Sequence, residues 1–238
     1  RREQGLPQSL GDSLGCWGSH LGSMGLLVLV LTILELLWGR VSLVVFAVTL
    51  LLWARFDPTS ADFQFVERYQ WIPVFGITYA VGVDGISLFL IVLTGFLTPI
   101  ALLCSWESVH KKTRAFCMFV LALEAAMTGV FVSLDLFLFY VFWDAMLIPM
   151  YFLIGIWGYD RRIYASIKFL LYTMAGSVLM LLAILGLAVM HSQQTGSYSF
   201  DLLKLYELSI PSSIQFWFFL AFALAFAIKV PLFPFHTW

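Results

Sequence analysis

The stretch AFALAFAIKVPLFPFHTW, Ala221 to Trp238, decides the fold class of this chain. It begins as an unbroken apolar helix and then places a single lysine shortly before two prolines, Pro231 and Pro234. Proline has no N–H, and its ring clashes with the carbonyl four residues back. We therefore predict a final helix that is broken at Lys229–Pro231. Carbonyls freed in this way, beginning with that of Ala227, are tolerated at membrane depth only where protein or internal water satisfies them.

The composition indicates a chain that lies in a membrane. Of its 238 residues, 61% are hydrophobic and 11% are charged, whereas a soluble domain is about 25% charged and about 45–50% apolar. Such a chain needs lipid as the solvent for most side chains, so we predict an all-α polytopic membrane protein with about six to seven transmembrane helices. A formal net charge of -1 leaves no basic surface for nucleic acid. The three cysteines show no metal-ligand spacing and indicate no disulfide framework.

Hydropathy and turn residues divide the chain into four segments. Residues 1–23 form an irregular leader rich in Gly and Ser, and 24–54 form an N-terminal transmembrane region with one good helix. Residues 55–83 are polar and aromatic, and their alternation predicts an extramembrane loop with a short strand or hairpin on the membrane surface. The remainder, 84–238, holds the other helices, and Asp84 is expected to cap the first of them.

The loop charges predict how the helices cross the membrane. The apolar run 114–158 is long enough for two crossings of a ~30 Å core, with a turn at 133–136 between them. Loops 106–114 and 158–162 are basic, whereas that turn and the loop 191–212 are acidic. This alternation is what the positive-inside rule requires, so the basic loops are expected in the cytoplasm and the aromatic loop outside.

Five ionisable residues fall within the predicted spans: Glu35, Glu124, Asp144, Lys168 and Lys229. Each costs about 2.5–3.5 kcal/mol at a helix centre, so such charges face the protein interior, pair, or line a water path. Glu35 is also consistent with an interfacial or irrelevant position, and Lys168 with snorkelling to the basic loop. For Glu124 and Asp144 the alternative is a purely structural buried pair.

A lysine at a broken helix is suited to storing and releasing a proton. Partial desolvation disfavours the charged ammonium of Lys229, whereas a nearby carboxylate favours it, so separating the two groups releases a proton. Asp144 lies in an aromatic shell and needs a cationic partner, and Pro149 frees the carbonyl of Ala145 beside it. We expect Lys229 and Asp144 to titrate as one coupled unit, with His236 as the next carrier.

Three stretches of the chain resemble one family closely. They are FLFYVFWDAMLIPMYFLIGIWG at 137–158, IYASIKFLLYT at 163–173 and AFAIKVPLFPFHTW at 225–238. They are similar to the M-type antiporter-like subunits of respiratory complex I, and the resemblance extends over 46–238. It implies the first half of an inverted-repeat antiporter-like fold, which moves protons driven by quinone reduction in other subunits. On this interpretation 84–238 is the first helix repeat, truncated at its C-terminus.

The resemblance also assigns roles to five residues. The family's intramembrane carboxylate matches Asp144, its broken-helix lysine matches Lys229, and its sixth-helix lysine matches Lys168. The histidine behind the family's helix break matches His236, and Glu124 matches an acid that some members have. The family has glutamate where this chain has Asp144, so the shorter side chain leaves a water-mediated contact with the lysine as an alternative to a direct one. The family's second repeat is missing, so we do not expect this chain to pump alone.

The resemblance implies that redox chemistry takes place in other subunits. The chain shows no flavin, nucleotide or iron–sulfur motif, so it is expected to be a non-catalytic, proton-translocating subunit of NADH:quinone oxidoreductase with no cofactor or metal of its own. NADH, FMN, iron–sulfur clusters and quinone are expected in partner subunits. The implied partners are the L-type and N-type antiporter-like subunits, the lipid bilayer and protons. The implied location is the inner membrane of a bacterium.

Two other kinds of function are weighed against this one. A subunit of an Mrp-type cation/proton antiporter or of a membrane-bound hydrogenase shares the lysine–proline helix, and neighbouring genes or sodium dependence would distinguish it. A passive scaffold predicts that neutralising Asp144 or Lys229 changes assembly alone. Several mid-membrane charges argue against a scaffold, because each is costly to insert.

Overall fold

The computed structural model describes residues 40–238, which form a helical bundle with a small hairpin at one end. The elements in chain order are α1 (40–55), β1 (Gln64–Ile72), a 3₁₀ turn (Pro73–Phe75), β2 (Ile77–Val83), α2 (Gly85–Cys104), α3 (Thr113–Val132), α4 (Leu136–Ala145), α5 (Leu147–Trp157), α6 (Arg162–Thr195), α7 (Leu202–Leu205) and α8 (Ser212–Lys229). The leader predicted at 1–23 and the acid Glu35 lie outside the described residues.

Five helical stretches in the described part of the chain are long and apolar enough to cross a membrane, which confirms the predicted fold class. Four of them are the single helices α2, α3, α6 and α8, and the fifth is the pair α4–α5, which together covers Leu136–Trp157. The helix α1 adds an apolar segment at the edge of the described residues.

The ends of the transmembrane helices follow from their capping residues. Asp84 caps α2 as predicted: its Oδ1 accepts the N–H of Ser87 at 2.7 Å, and the Ser87 hydroxyl accepts the N–H of Asp84 at 2.9 Å. Such reciprocal bonds satisfy two donors that a helix start leaves unpaired. The run 114–158 forms two stretches that are each long and apolar enough to span a membrane, as predicted, because Ser133 takes an extended conformation and Asp135 then caps α4.

The segment 55–83, predicted to be an extramembrane loop, contains the antiparallel hairpin β1–β2, as its alternation predicted. Tyr69 pairs with Tyr79 near its middle. Gly76 closes the turn with a φ of +66°, a left-handed conformation that glycine adopts at little cost. A Cβ atom at this position would lie 2.0 Å from the carbonyl oxygen of Tyr198, so the hairpin tip also needs glycine for its close approach to the loop before α7.

Two buried aspartates fasten the hairpin to the helix ends beneath it. Asp135 is fully buried, and its Oδ2 accepts hydrogen bonds from the N–H and the hydroxyl of Thr78, both at 2.9 Å. Asp201 is also buried and forms an ion pair with Arg68 of β1. We call the hairpin, the turn 133–135 and the loop 198–201 the hairpin cap. Its three parts lie on one side of the bundle, in agreement with the topology predicted from the loop charges.

The helix α6 extends into the segment 191–212, which was predicted to be a loop. Its 34 residues span ~51 Å at ~1.5 Å per residue, well beyond a ~30 Å hydrocarbon core. The polar turn 191–195 was predicted as loop, but it contains no helix breaker and continues the helix. Gly196 then ends α6 with a φ of +81°, and its N–H bonds to the carbonyl of Ser192 at 2.9 Å.

The main apolar core lies where α4, α6 and α8 meet under the hairpin cap. Its buried members are Ile77, Trp143, Met180, Ile184, Ala188, Phe200 and Ala225. This core holds the indole of Trp143 between α6 and α8, which fixes the position of α4 at the residues that carry the candidate site.

Candidate functional site

Lys229 is the last residue of α8, and its side chain reaches α4. Its Nζ donates a hydrogen bond to the backbone carbonyl of Trp143 and lies 4.2 Å from the centroid of the indole ring. Phe226, one turn earlier on α8, packs edge-on against the same ring at 5.3 Å. The ammonium is therefore held by a neutral carbonyl and an aromatic face, an arrangement that attracts a cation without neutralising it.

Asp144 follows Trp143 on α4, so the fold brings the predicted acid and the predicted lysine to the same place. The Oδ1 atom of Asp144 is buried and has no hydrogen-bond partner within residues 40–238. No ion pair joins Asp144 to Lys229 in this part of the chain, although the two charges are near enough to act on each other. The side chain of Tyr140, one turn earlier, also interacts with the carboxylate. The described structure therefore lacks a direct contact between the two charged groups.

A helix interruption lies just behind the acid. α4 ends at Ala145 and α5 begins at Leu147, with Met146 in a turn between them. Pro149 is a buried residue in the first turn of α5, and it has no N–H to offer to the carbonyl of Ala145. The interruption therefore follows from the proline, and it falls two residues after Asp144.

A second interruption lies just behind Lys229, two residues before Pro231. Pro231 removes the helical partner of the Ala227 carbonyl, as predicted, and the protein supplies another donor for it. Leu232 donates its N–H to that carbonyl at 2.9 Å. The chain turns after the proline, so the N–H of Leu232 bonds to a carbonyl five residues earlier, as in wide turns at helix ends.

The segment 231–238 continues as turns and folds back against the helices. Pro234 lies within a turn that the N–H of Phe235 closes by bonding to the carbonyl of Leu232 at 2.6 Å. Trp238 donates its indole N–H to the carbonyl of Ile228 at 2.7 Å. The segment thus supplies donors to carbonyls that the broken helix leaves available.

One of the predicted proton carriers lies on this segment, and another is hydrogen-bonded to it. Lys168 of α6 is half-buried, and its Nζ donates to the carbonyl of Thr237. The backbone of the segment therefore holds this lysine, and its side chain does not extend to the basic loop. His236 is exposed and stacks on the ring of Phe233, with 5.8 Å between the ring centroids.

Glu124 lies in a different part of the bundle. It is 2% exposed in α3, and its Oε1 has no hydrogen-bond partner among the described side chains and backbone groups. Thr98 of α2, also buried, interacts with the carboxyl group. Glu124 and Asp144 therefore have different neighbours in the described structure, which does not form the structural pair of acids that we weighed as an alternative.

Several buried polar residues were not among the predicted site residues. Asp135 and Asp201 each directly precede a helix, and an acid at that position is a known capping signal that would have identified them. His191 is buried near the end of α6, with its Nδ1 2.7 Å from the carbonyl oxygen of Ser197. Ser177 is buried in the middle of α6, and nothing in the sequence distinguishes it from other serines in apolar helices.

Two family models match the chain, and together they cover most of it. The model described as "NADH-ubiquinone oxidoreductase chain 4, amino terminus" matches residues 19–130. The model described as "NADH:quinone oxidoreductase/Mrp antiporter, TM" matches residues 133–238, which include Asp144, Lys168 and Lys229. The apolar helices, the interrupted lysine helix and these matches define an antiporter-like integral membrane subunit.

Proteins from distant organisms are similar to this chain. "NADH-quinone oxidoreductase subunit M" of Rickettsia prowazekii (strain Madrid E) is 43% identical over 199 residues, or 83% of this chain and 39% of that protein. "NADH-ubiquinone oxidoreductase chain 4" of Arabidopsis thaliana is 43% identical over 198 residues, again 83% of this chain and 39% of that protein. A chain of "Respiratory complex I from Thermus thermophilus with bound NADH" superposes with a TM-score of 0.73 at 30% identity, over 86% of this chain and 44% of that one.

The chain therefore belongs to the family of chain 4, or M-type, antiporter-like subunits of NADH:quinone oxidoreductase. It spans 39% of the length of the two curated relatives described above.

Proposed function

We propose that this chain is the first half of a membrane-arm subunit of NADH:quinone oxidoreductase that translocates protons, coupled to quinone reduction in other subunits. The observation that carries the proposal is the placement of Lys229 at a helix interruption, next to the unpartnered Oδ1 of Asp144. Charges of this kind at interrupted helices mark ion-transport sites in membrane proteins. The family membership supports the same assignment.

Lys229 and Asp144 are proposed to store and release the proton. The Nζ of Lys229 rests on the neutral carbonyl of Trp143, and a change of side-chain conformation would move it toward the carboxylate. At an effective dielectric constant of about 20, two unit charges about 4 Å apart attract by about 4 kcal/mol. Because about 1.4 kcal/mol is a tenfold effect, gaining or losing that contact changes the proton affinity of the lysine by up to about a thousandfold. Small movements at this point are therefore sufficient to load and unload the proton.

The other predicted carriers are assigned to neighbouring steps. His236 lies on the segment that follows Lys229, and Lys168 of α6 donates a hydrogen bond to that segment. We therefore assign both to the exchange of protons between Lys229 and the side of the membrane that this segment faces. Glu124, whose Oε1 is also unpartnered within the described residues, is assigned as a further carrier on α3.

The finer parts of this proposal concern the whole complex. The chain is proposed to be a non-catalytic subunit, with NADH, FMN, iron–sulfur clusters and quinone bound by partner subunits. The proposed membrane-arm neighbours are the L-type and N-type antiporter-like subunits. The proposed location is the inner membrane of a bacterium, and the equally similar plant relative makes an organelle membrane the alternative.

The test uses the full-length subunit, assembled in its complex and reconstituted into vesicles. We expect Lys229→Met to lower both NADH oxidation and proton uptake by at least about tenfold while assembly persists. The variant lacks one proton carrier, so a proton-transfer step is lost although the subunit still folds. Lys204→Met is the matched control, since Lys204 is exposed on α7. Wild-type rates in the Lys229→Met complex would show that the lysine is structural and would refute the proposal.

One family model also covers Mrp antiporters, so an exchange of sodium for protons is the second candidate function. Replacing sodium by choline in the same vesicles separates the two. We expect NADH-driven proton uptake to be unchanged in choline. A loss of uptake there would favour the antiporter function.

A further inference from the structure

Ser177 is a buried hydroxyl that the proposed function does not use. It lies in the middle of α6, is 1% exposed, and its Oγ has no hydrogen-bond partner anywhere in residues 40–238. The neighbouring hydroxyls on the same helix are satisfied: Ser166, also 1% exposed, donates to the carbonyl of Ile163 at 2.9 Å, and Thr173 donates to that of Phe169 at 2.6 Å. Because an unsatisfied buried polar group is costly, Ser177 calls for a partner that the described protein does not supply.

Residues on either side of Ser177 pack toward α4, which carries Asp144, and α8, which carries Lys229. We call Asp144 and Lys229 the charge pair. A Cβ atom on the preceding residue, Gly176, would lie 2.9 Å from the side chain of Ile228, so α6 packs tightly against α8 here. Ile228 directly precedes Lys229. Met180, one turn after Ser177, belongs to the buried cluster that contains Trp143, the residue just before Asp144. Ser177 is therefore flanked by a residue that packs against Ile228 of α8 and by a residue that shares a buried cluster with Trp143 of α4.

Two unpartnered polar atoms, Ser177 Oγ and Asp144 Oδ1, thus lie in the same region as the Nζ of Lys229. A buried water needs two to four polar partners, and these three groups provide a matching set of one ammonium donor, one carboxylate acceptor and one hydroxyl that serves as either. No single direct bond between the three is made in the described structure, so a bridging molecule satisfies all of them at once.

We propose that Ser177 is a positioning residue for proton transfer, holding one buried water between Lys229 and Asp144. The proposal rests on the proposed function of that pair. In the transfer step an N–H bond of the Lys229 ammonium breaks and its proton joins the water oxygen. One of the water's own O–H bonds then breaks, and that proton forms an O–H bond with Asp144 Oδ1. The hydroxyl of Ser177 orients the water throughout and neither gains nor loses a proton.

The test compares Ser177→Ala with Ser166→Ala, in the full-length subunit assembled in its complex. We expect Ser177→Ala to lower NADH-driven proton uptake by about tenfold, since it removes one hydrogen bond that aligns the water. We expect the thermal midpoint of that variant to fall only slightly, because a single hydrogen bond to the water has been removed. Ser166→Ala, which also removes one buried hydrogen bond, is expected to lower the midpoint to a similar extent but to leave uptake unchanged.

A second variant and a second readout protect the test against a packing artefact. Ser177→Thr keeps a hydroxyl and is expected to restore uptake, and Ser177→Ala is expected to show a larger solvent deuterium isotope effect on uptake than the wild type. Wild-type uptake and an unchanged isotope effect in Ser177→Ala would overturn the proposal, as would a Ser177→Thr variant as slow as the alanine variant. The Lys229→Met complex separates the two proposals: if it pumps normally, the function of the pair fails, whereas its failure beside a normal Ser177→Ala complex removes only the role of Ser177.

Discussion

Replacing Asp135 by alanine is expected to release the hairpin cap from the membrane helices. The carboxylate accepts four hydrogen bonds, two from the N–H groups of Phe137 and Leu138 and two from Thr78, at 2.9 to 3.2 Å. Losing the helix cap costs about 1 kcal/mol. Leaving the two Thr78 donors buried without an acceptor costs about 1–3 kcal/mol each. Since such terms are not fully additive, we expect a total loss of about 3–5 kcal/mol.

The assay is amide hydrogen exchange of the full-length subunit in its complex. A loss of this size predicts that the protection of the Thr78 amide falls by at least about a hundredfold, because local opening becomes that much easier. Asp62→Ala is the matched control, since Asp62 is an exposed acid in the same loop, and it should leave the protection of Thr78 unchanged. Unchanged protection in Asp135→Ala would refute the assignment of this aspartate as the anchor of the hairpin cap.

Two further substitutions test the hairpin tip and the acid of the charge pair. Gly76→Ala should destabilise the subunit by about 2–4 kcal/mol in thermal unfolding, because it combines a left-handed backbone with a clash against the carbonyl of Tyr198. Gly85→Ala, which meets open space at the start of α2, should be neutral or stabilising by about 0.4–1 kcal/mol, and equal losses at both positions would contradict the steric argument. Asp144→Asn should lower proton uptake by at least about tenfold in the assembled complex, whereas Asp144→Glu keeps the charge and should retain most of it. Uptake that falls equally in both variants would show that packing at this position, and not the charge, is what matters.

The elements that depend on local chemistry could be predicted from the sequence. The capping acid Asp84, the turn before α4 and the break behind Lys229 are each determined by a few neighbouring residues, and each is found where it was expected. The hairpin followed from alternation around Gly76 in the same way. The family motifs correctly indicated the class of protein, because they cover the intramembrane charges and the prolines together.

The features that depend on where the chain goes next could not be read from residue patterns. The carbonyl of Ala227 is satisfied by Leu232 because of a turn that forms only after the proline has ended the helix. The helix α6 continues through a polar segment because no breaker occurs before Gly196. The separation of Asp144 and Lys229 depends on how α4 and α8 pack, and the sequence does not encode that distance locally.

Asp144 and Lys229 both lie beside interruptions of otherwise continuous helices. A continuous helix resists bending because many backbone hydrogen bonds must stretch together, but α4 gives way to α5 at Met146, and α8 stops at Lys229. The hairpin cap clamps the other end of α4, with Asp135 as its fastening point. A small change in the angle between α5 and α4 therefore changes the relative positions of Asp144 and Lys229. Bending at these two helix interruptions thus changes the electrostatic potential at the site of Lys229 and Asp144.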